Sequence, residues 1–463
     1  MGTRYVSIDR ETALLLPPDL RDWVPADHLV HFVIDAVEQL DVSAARVNDR
    51  GTGSEQYPPR MLLGLLIYSY ATGVFSSRQI ERATYENVAV RLLCADTHPD
   101  HDTLCAFRRE NTALLGGCFA EVLELAAGCG VLKVGGITVA IDGTKILANA
   151  SRHSAVSYEH ADKTMRQLDL EIAELLRKAQ DADAVPLSDG LTIPEEVQRR
   201  VERKAQLAKA RAEMEARAYA RHQEQKAEYE RKIAAQKARM AAGEKRGRSE
   251  DPPSGPTPGP KEQYNFTDPE SRMMKTQGMH FEQAYNAQAA VEVDSRLIVG
   301  QRLTNVPNDQ PQLVPTVRAI EPCVGTVKQV LVDSGFVSEA AVKTLEKNEA
   351  GHATGLTVLA PLRRESHGRS VRQLERRQDP PAPEADAPFA ERMLHRTATA
   401  AGRLRYKLRQ QTVEPTFGII KEVLGFRRFS MRGESKAALE WTLVSLAFNL
   451  KRLHRLGAVL NPA

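Results

Sequence analysis

The chain has 463 residues, of which 42% are hydrophobic and 27% charged, with a formal net charge of +3. That balance is the one ordinary soluble proteins show, and the length allows two or three domains, each with its own core. The five cysteines (Cys94, Cys105, Cys118, Cys129, Cys323) show no metal-ligand spacing, which fits small core thiols in a reducing cytoplasm. No secretory h-region is visible, and no apolar run reaches the roughly 18 residues a membrane span needs, so neither export nor a membrane partner is expected. The small net charge conceals two basic blocks: 14 Lys/Arg against 4 Asp/Glu from Arg392 to Arg455, and 16 against 7 from Arg199 to Arg248. Segregated positive charge points to a polyanion partner, the alternative being solvated helix faces.

Residues 11–130 read as helical. Leu29, Phe32, Val33, Ala36, Val37 and Leu40 recur at helical spacing. Pro58-Pro59 opens a second helix that closes near Gly73, and Ser76 caps a third over "SRQIERATYENVAVRLLC". The short turn "GVFSS" between two helices suits either a helix-turn-helix or a plain bundle. Residues 133–150 switch to a strand period. Met165, Leu168, Ile172, Leu175 and Ala179 then form a coiled-coil seam, followed by a long Ala/Arg/Lys/Glu helix over about 195–242. The two predict an antiparallel helical hairpin, and "GRSEDPPSGPTPGPKEQ" predicts a flexible linker. Strand runs 285–293 and 297–303 predict a hairpin turning at Asp294-Ser295; a helix, a strand ending at Asp333, another helix and the strand "LTVLAPL" follow. A disordered-looking stretch, "LERRQDPPAPEADAP", precedes a basic helical C-terminus.

Two apolar runs, 137–141 and 328–332, each end in an aspartate followed by a small residue. Alone, Asp142 is equally a turn acid. If the runs are neighbours in one sheet, Asp142 and Asp333 meet at one edge, and two such acids repel unless a cation such as Mg²⁺ joins them. Glu414 is the candidate third acid, with Tyr406, Arg409 and Lys421 around it; Lys421, two helical turns on, would share its face. Competing readings of "AIDGTK" are weaker. A nucleotidyltransferase lysine would fall at Ala140, and an aspartyl-phosphate enzyme has no use for Glu414. No P-loop is present.

Tyr406, Arg409, Glu414 and Lys421 resemble the tyrosine–arginine–glutamate–lysine signature of bacterial insertion-sequence DDE transposases. "VAIDGTKI", "VLVDSGF" and "VEPTFGIIKEVLGFRRFSMRG" resemble that family's three carboxylate segments, in order. "PPRMLLGLLIYSYATGVFSSRQIERATYENVAVRLLCADTHPDHDTLCAFRREN" resembles its helical N-terminal domain. The family's usual spacing from the arginine would select Val413, which cannot bind metal, so Glu414 is retained as the ligand. The resemblance implies an RNase H-like fold: a mixed five-stranded sheet flanked by helices, with an all-α N-terminal domain and an inserted helical hairpin. The expected domains are 1–130 (DNA-end binding), 131–157 with 263–463 (catalytic), and 158–262 (hairpin and linker). The implied activity is cleavage at the element's ends and joining of the 3′-hydroxyls to target DNA. Asp142, Asp333 and Glu414 would hold two Mg²⁺ ions, with Mn²⁺ a possible substitute. Arg409, Lys421, Arg427, Arg428, Arg432 and Lys145 would meet phosphates, and Tyr406 the strand near its end. The implied partners are double-stranded DNA, both terminal inverted repeats and target, and a second copy or more when DNA is bound. The implied setting is bacterial, cytoplasmic and nucleoid-associated. A nuclease of the same fold without strand transfer and a non-catalytic DNA-binding relict are the rival readings.

Overall fold

A computed structural model describes residues 19–46, 56–181, 193–241, 251–276, 280–348, 350–362, 379–384 and 387–460. By their contacts they form two units: residues up to Ile146 with those from Tyr285 onward, and Leu147–Ala284. Parts of the expected N-terminal helical stretch (11–18 and 47–55), of the expected linker after the hairpin (247–250) and of the expected stretch before the basic C-terminus (374–378 and 385–386) lie outside the described residues.

Six helices open the first unit: α1 (Leu29–Glu38), α2 (Pro59–Ala71), α3 (Ser77–Glu86), α4 (Val88–Leu93), α5 (His101–Glu110) and α6 (Thr112–Gly128). Pro59 starts α2 where a missing N–H costs nothing. The single helix expected after Ser76 is two, because Asn87 leaves the helical conformation (φ −107°, ψ 116°) and its side chain caps Val90 N of α4. β1 (Ile137–Leu147) follows.

The second unit holds β2 (Ala155–Ser157), α7 (Tyr158–Asp181), α8 (Ile193–Ala241), β3 (Gln263–Asn265) and β4 (Arg272–Lys275). β2 pairs antiparallel with β3 at the base of the two long helices. The pairs Tyr158–Glu215, Asp162–Arg211, Asp169–Lys204 and Glu171–Arg200 run in opposite senses along α7 and α8, so the helices form the expected antiparallel hairpin. Val156, Ala161, Leu168, Leu207, Ala210, Met214 and Tyr264 make its small core. The expected seam stops short, since Ala179 is exposed. Beyond Glu215, α8 continues to Ala241, about 39 Å at the helical rise of 1.5 Å per residue. The described part of the expected linker lies along it, through His222 at 2.7 Å from Ser254 O and Arg221 at 2.6 Å from Glu262. β4 pairs with Phe281–Ala284, the first residues of β5 (Phe281–Glu292).

The first unit then resumes with β6 (Ile298–Thr304), α9 (Leu313–Arg318), β7 (Val327–Leu331), α10 (Glu339–Glu346), β8 (Thr357–Leu359), α11 (Phe389–Ala398), α12 (Ala400–Gly418), a π-helical turn (Ile419–Val423) and α13 (Glu434–Arg455). Its sheet runs β6–β5–β1–β7–β8, antiparallel between β5 and β6 and parallel from β1 through β7 to β8. This mixed five-stranded sheet flanked by helices is RNase H-like. α13 is buried along most of its length, packing on β6 and against α1, α2 and α6. Asn449 exchanges two 2.8 Å hydrogen bonds with Ile298, and Trp441 Nε1 donates to Gln288 O at 3.1 Å. Glu440, fully buried, accepts from Tyr70 of α2 (3.0 Å) and lies 3.8 Å from Arg108 of α5. One helix thus joins the N-terminal helices to the sheet.

Candidate active site

The site begins with strand register. β1 and β7 are parallel neighbours with Ala140 opposite Leu331. Asp142 and Asp333 lie two residues further on each chain, so the two acids stand level. β7 ends at Leu331, but β1 continues to Leu147 with the longer β5 on its other flank. Asp142 therefore sits within a strand, a correction to the reading that the strand stops at Ile141.

The Asp142 side chain is 21% exposed. Its Oδ1 accepts from Gly143 N at 2.9 Å, and its Oδ2 from Arg409 Nη2 at 2.9 Å. Burial pushes its carboxyl up to about 6; Arg409 and the Gly143 N–H oppose that rise, while the charges of Asp333 and Asp309 add to it. Asp333 caps the 3₁₀ turn Ser334–Phe336, accepting from Gly335 N at 2.7 Å.

α12 brings the rest. Gly402, Arg409, Thr412, Val413, Thr416 and Phe417 form its buried stripe, which carries Arg409 inward. Arg409, 8% exposed, bridges Asp142 to Glu414, whose Oε1 lies 3.4 Å from Arg409 Nη1. Its Nε finds no acceptor among the described residues. Val413 is wholly buried, whereas Glu414 is 54% exposed. Pro415 lies inside α12, so Glu414 is a helix-interior residue although it precedes a proline. Burial raises the Tyr406 phenol; Arg409 opposes this, and Asp333, Asp142 and Glu414 reinforce it, so Tyr406 feels all three acids.

The expected phosphate-binding residues divide into two groups. Arg427, Arg428 and Arg432 are exposed in the segment between the π turn and α13, with Arg427 paired to Glu422. Phe426 and Phe429 between them are buried, edge-on to each other and to Phe75 and Tyr285. The Glu440 carboxylate accepts from Ser430 N (2.8 Å) and Met431 N (3.1 Å), which fixes this segment. Lys421 is buried and Lys145 half-buried, and each is held by other groups of the protein. Lys421 is 7% exposed and lies in the π turn, so it does not share the exposed face of Glu414. Its Nζ donates to Lys145 O of β1 at 3.1 Å, and burial lowers its pKa. Lys145 Nζ lies 3.1 Å from Asp309 Oδ1.

Asp309, Asn286 and Gln288 escaped the sequence reading. The alternating polar residues of "YNAQ" inside an apolar strand were the available signal; Asp309 carried none. Among the described residues no three His, Cys, Asp or Glu side chains are grouped closely enough to hold a metal ion.

Residues 18–110 match the family described as Transposase domain (DUF772), and residues 375–454 match the Transposase DDE domain. No curated protein and no solved structure matches the chain. These two matches, with the RNase H-like sheet between them in sequence, support an insertion-sequence DDE transposase, and the matched domains indicate a DNA transposase.

Proposed function

We propose that the transposase cuts DNA at the ends of its element and joins the freed 3′-hydroxyls to target DNA, with Asp142, Asp333 and Glu414 as the catalytic acids. The observation that carries this reading is the level placement of Asp142 and Asp333 on parallel neighbours, with Arg409 tying Asp142 to Glu414. The donor set fits Mg²⁺: all three are oxygen donors, and a carboxyl pushed up to about 6 beside other acids gains most from a nearby cation. Asp142 and Asp333 would hold the ions, with Glu414 joining them from α12. Bound metal supplies activation of the attacking oxygen and charge stabilisation at the scissile phosphate.

The protein's own residues do the positioning. Arg409 offsets the repulsion among the acids and orients Glu414. Lys421 fixes β1 at Lys145. Arg427, Arg428 and Arg432 stand exposed to meet backbone phosphates, giving affinity that falls with salt, while Tyr406 lies where the strand passes the acids. Two ends must be brought together, so the active species is a homodimer or larger assembly on DNA, and Mn²⁺ can substitute for Mg²⁺. The test incubates the protein with labelled terminal inverted-repeat duplex, Mg²⁺ and a target plasmid. Label joined to the plasmid is the expected product. Cut but unjoined label would replace the reading with a nuclease, and binding without cutting would replace it with a relict.

A further inference from the structure

Asp309 Oδ1 accepts from three donors: Asn286 Nδ2 at 2.7 Å, Gln288 Nε2 at 3.0 Å and Lys145 Nζ at 3.1 Å. Asn286 and Gln288 are fully buried on β5, and among the described residues Asn286 Oδ1 and Gln288 Oε1 accept no hydrogen bond. A Cβ built on Gly143 would stand 2.2 Å from Gln288 Nε2, 2.8 Å from Asp309 Oδ1 and 2.9 Å from Asn286 Oδ1. The cluster therefore closes on β1 at the residue next to Asp142, and a side chain at 143 would push the ends of these three side chains aside. The turn Gln310–Gln312 after Asp309 packs against Ser334–Phe336, the turn that Asp333 caps. Asp309 thus belongs to the same end of the sheet as both aspartates.

Two buried amides with unpaired oxygens are a poor way to fill a core, since half-satisfied polar groups are worse than apolar ones. What they accomplish is to hold one carboxylate oxygen fixed, and that oxygen holds the Lys145 ammonium. The Lys421 bond to Lys145 O fixes the same residue by its backbone. We propose that Asp309, seated by Asn286 and Gln288, is a positioning residue that sets Lys145 to bind a DNA phosphate beside Asp142. This rests on the transposase reading above. Lys145 is the phosphate-binding group; Asp309 acts through it.

The test compares wild type, Asp309→Asn, Lys145→Met and the double variant. Each is assayed on terminal inverted-repeat duplex for single-turnover cutting with Mg²⁺ at saturating protein, and for binding across a salt series without Mg²⁺. Asp309→Asn keeps size and an acceptor for the amides. The expected result is that each single variant cuts about tenfold to a hundredfold more slowly, as a misplaced phosphate contact would give, and that the double variant is no slower than Lys145→Met. Lys145→Met also lowers the salt slope of binding by about one, and Asp309→Asn leaves it unchanged. Wild-type cutting by Asp309→Asn, or a double variant whose loss is the product of the two single losses, would overturn the inference. A wild type that binds but never cuts counts against the transposase reading alone. The salt slopes then decide, and an unchanged slope for Lys145→Met overturns the pair.

Discussion

In the sheet unit Arg409 is 8% exposed and bridges Asp142 to Glu414, and Arg108, 6% exposed, faces the wholly buried Glu440. On the hairpin Arg200, Lys204 and Arg211 pair with acids of α7 at 28%, 37% and 38% exposure. Both sets tie cations to carboxylates across neighbouring elements, yet water treats them differently. An exposed pair swaps one solvated contact for another, whereas a buried carboxylate that loses its partner keeps its charge with nothing to offset it. The sheet unit therefore uses charge to hold geometry. The hairpin uses it to match two helix faces, which also explains why much of the basic block on α8 is balanced within the hairpin itself.

Glu440→Ala sharpens that contrast most. It removes the carboxylate to which Tyr70, Ser430 and Met431 donate and leaves Arg108, which still donates to Tyr70 Oη, without a counter-charge. A loss of about 3–5 kcal/mol is expected for breaking such a pair, read by denaturant unfolding; a change under about 1 kcal/mol would show the network to be dispensable. The Asp142 carboxyl comes next. Its folded pKa of about 6 lies above the 3.8 of an ordinary aspartate, so its contribution to stability is full below pH 4 and is lost as pH rises through 6. The difference is roughly 3 kcal/mol. Asp142→Asn cannot ionise, so in metal-free buffer its stability should gain on wild type between pH 4 and 6.5. Parallel profiles would contradict the burial of this acid. The smallest effect belongs to the hairpin: Lys204→Ala should cost at most about 1 kcal/mol, and less in high salt. A loss as large as that of Glu440→Ala would erase the distinction between the units.

Elements with strong local signals were legible in the sequence. The period-2 run around Ile141, the β5–β6 hairpin and most of the seam of α7 follow from spacing, and the three acids were proposed from their settings at or near strand ends and beside a basic helix. What local spacing could not show was set by distant contacts. Asn87 looks like an ordinary helix residue until its side chain caps the next helix. The extension of β1 past Asp142 depends on a longer neighbour, β5. α13 reads as a basic terminal helix, yet its buried faces join the sheet to the N-terminal helices within one unit. Lys421 seemed to share a face with Glu414 because seven residues make two turns of α-helix, and a π turn changes that count. Asp309 was invisible because its partners lie more than 20 residues away or on another strand.

The central claim is that Asp142, Asp333 and Glu414 carry the chemistry while the surrounding cations bind and position DNA. The direct measurement is single-turnover cutting of terminal inverted-repeat duplex with Mg²⁺ by Asp142→Ala, Asp333→Ala and Glu414→Ala, alongside each variant's unfolding transition and DNA affinity. Each should lose cutting altogether while keeping a cooperative fold and its hold on the duplex. A variant that cuts element ends at the wild-type rate would remove that residue from the site and contradict the account.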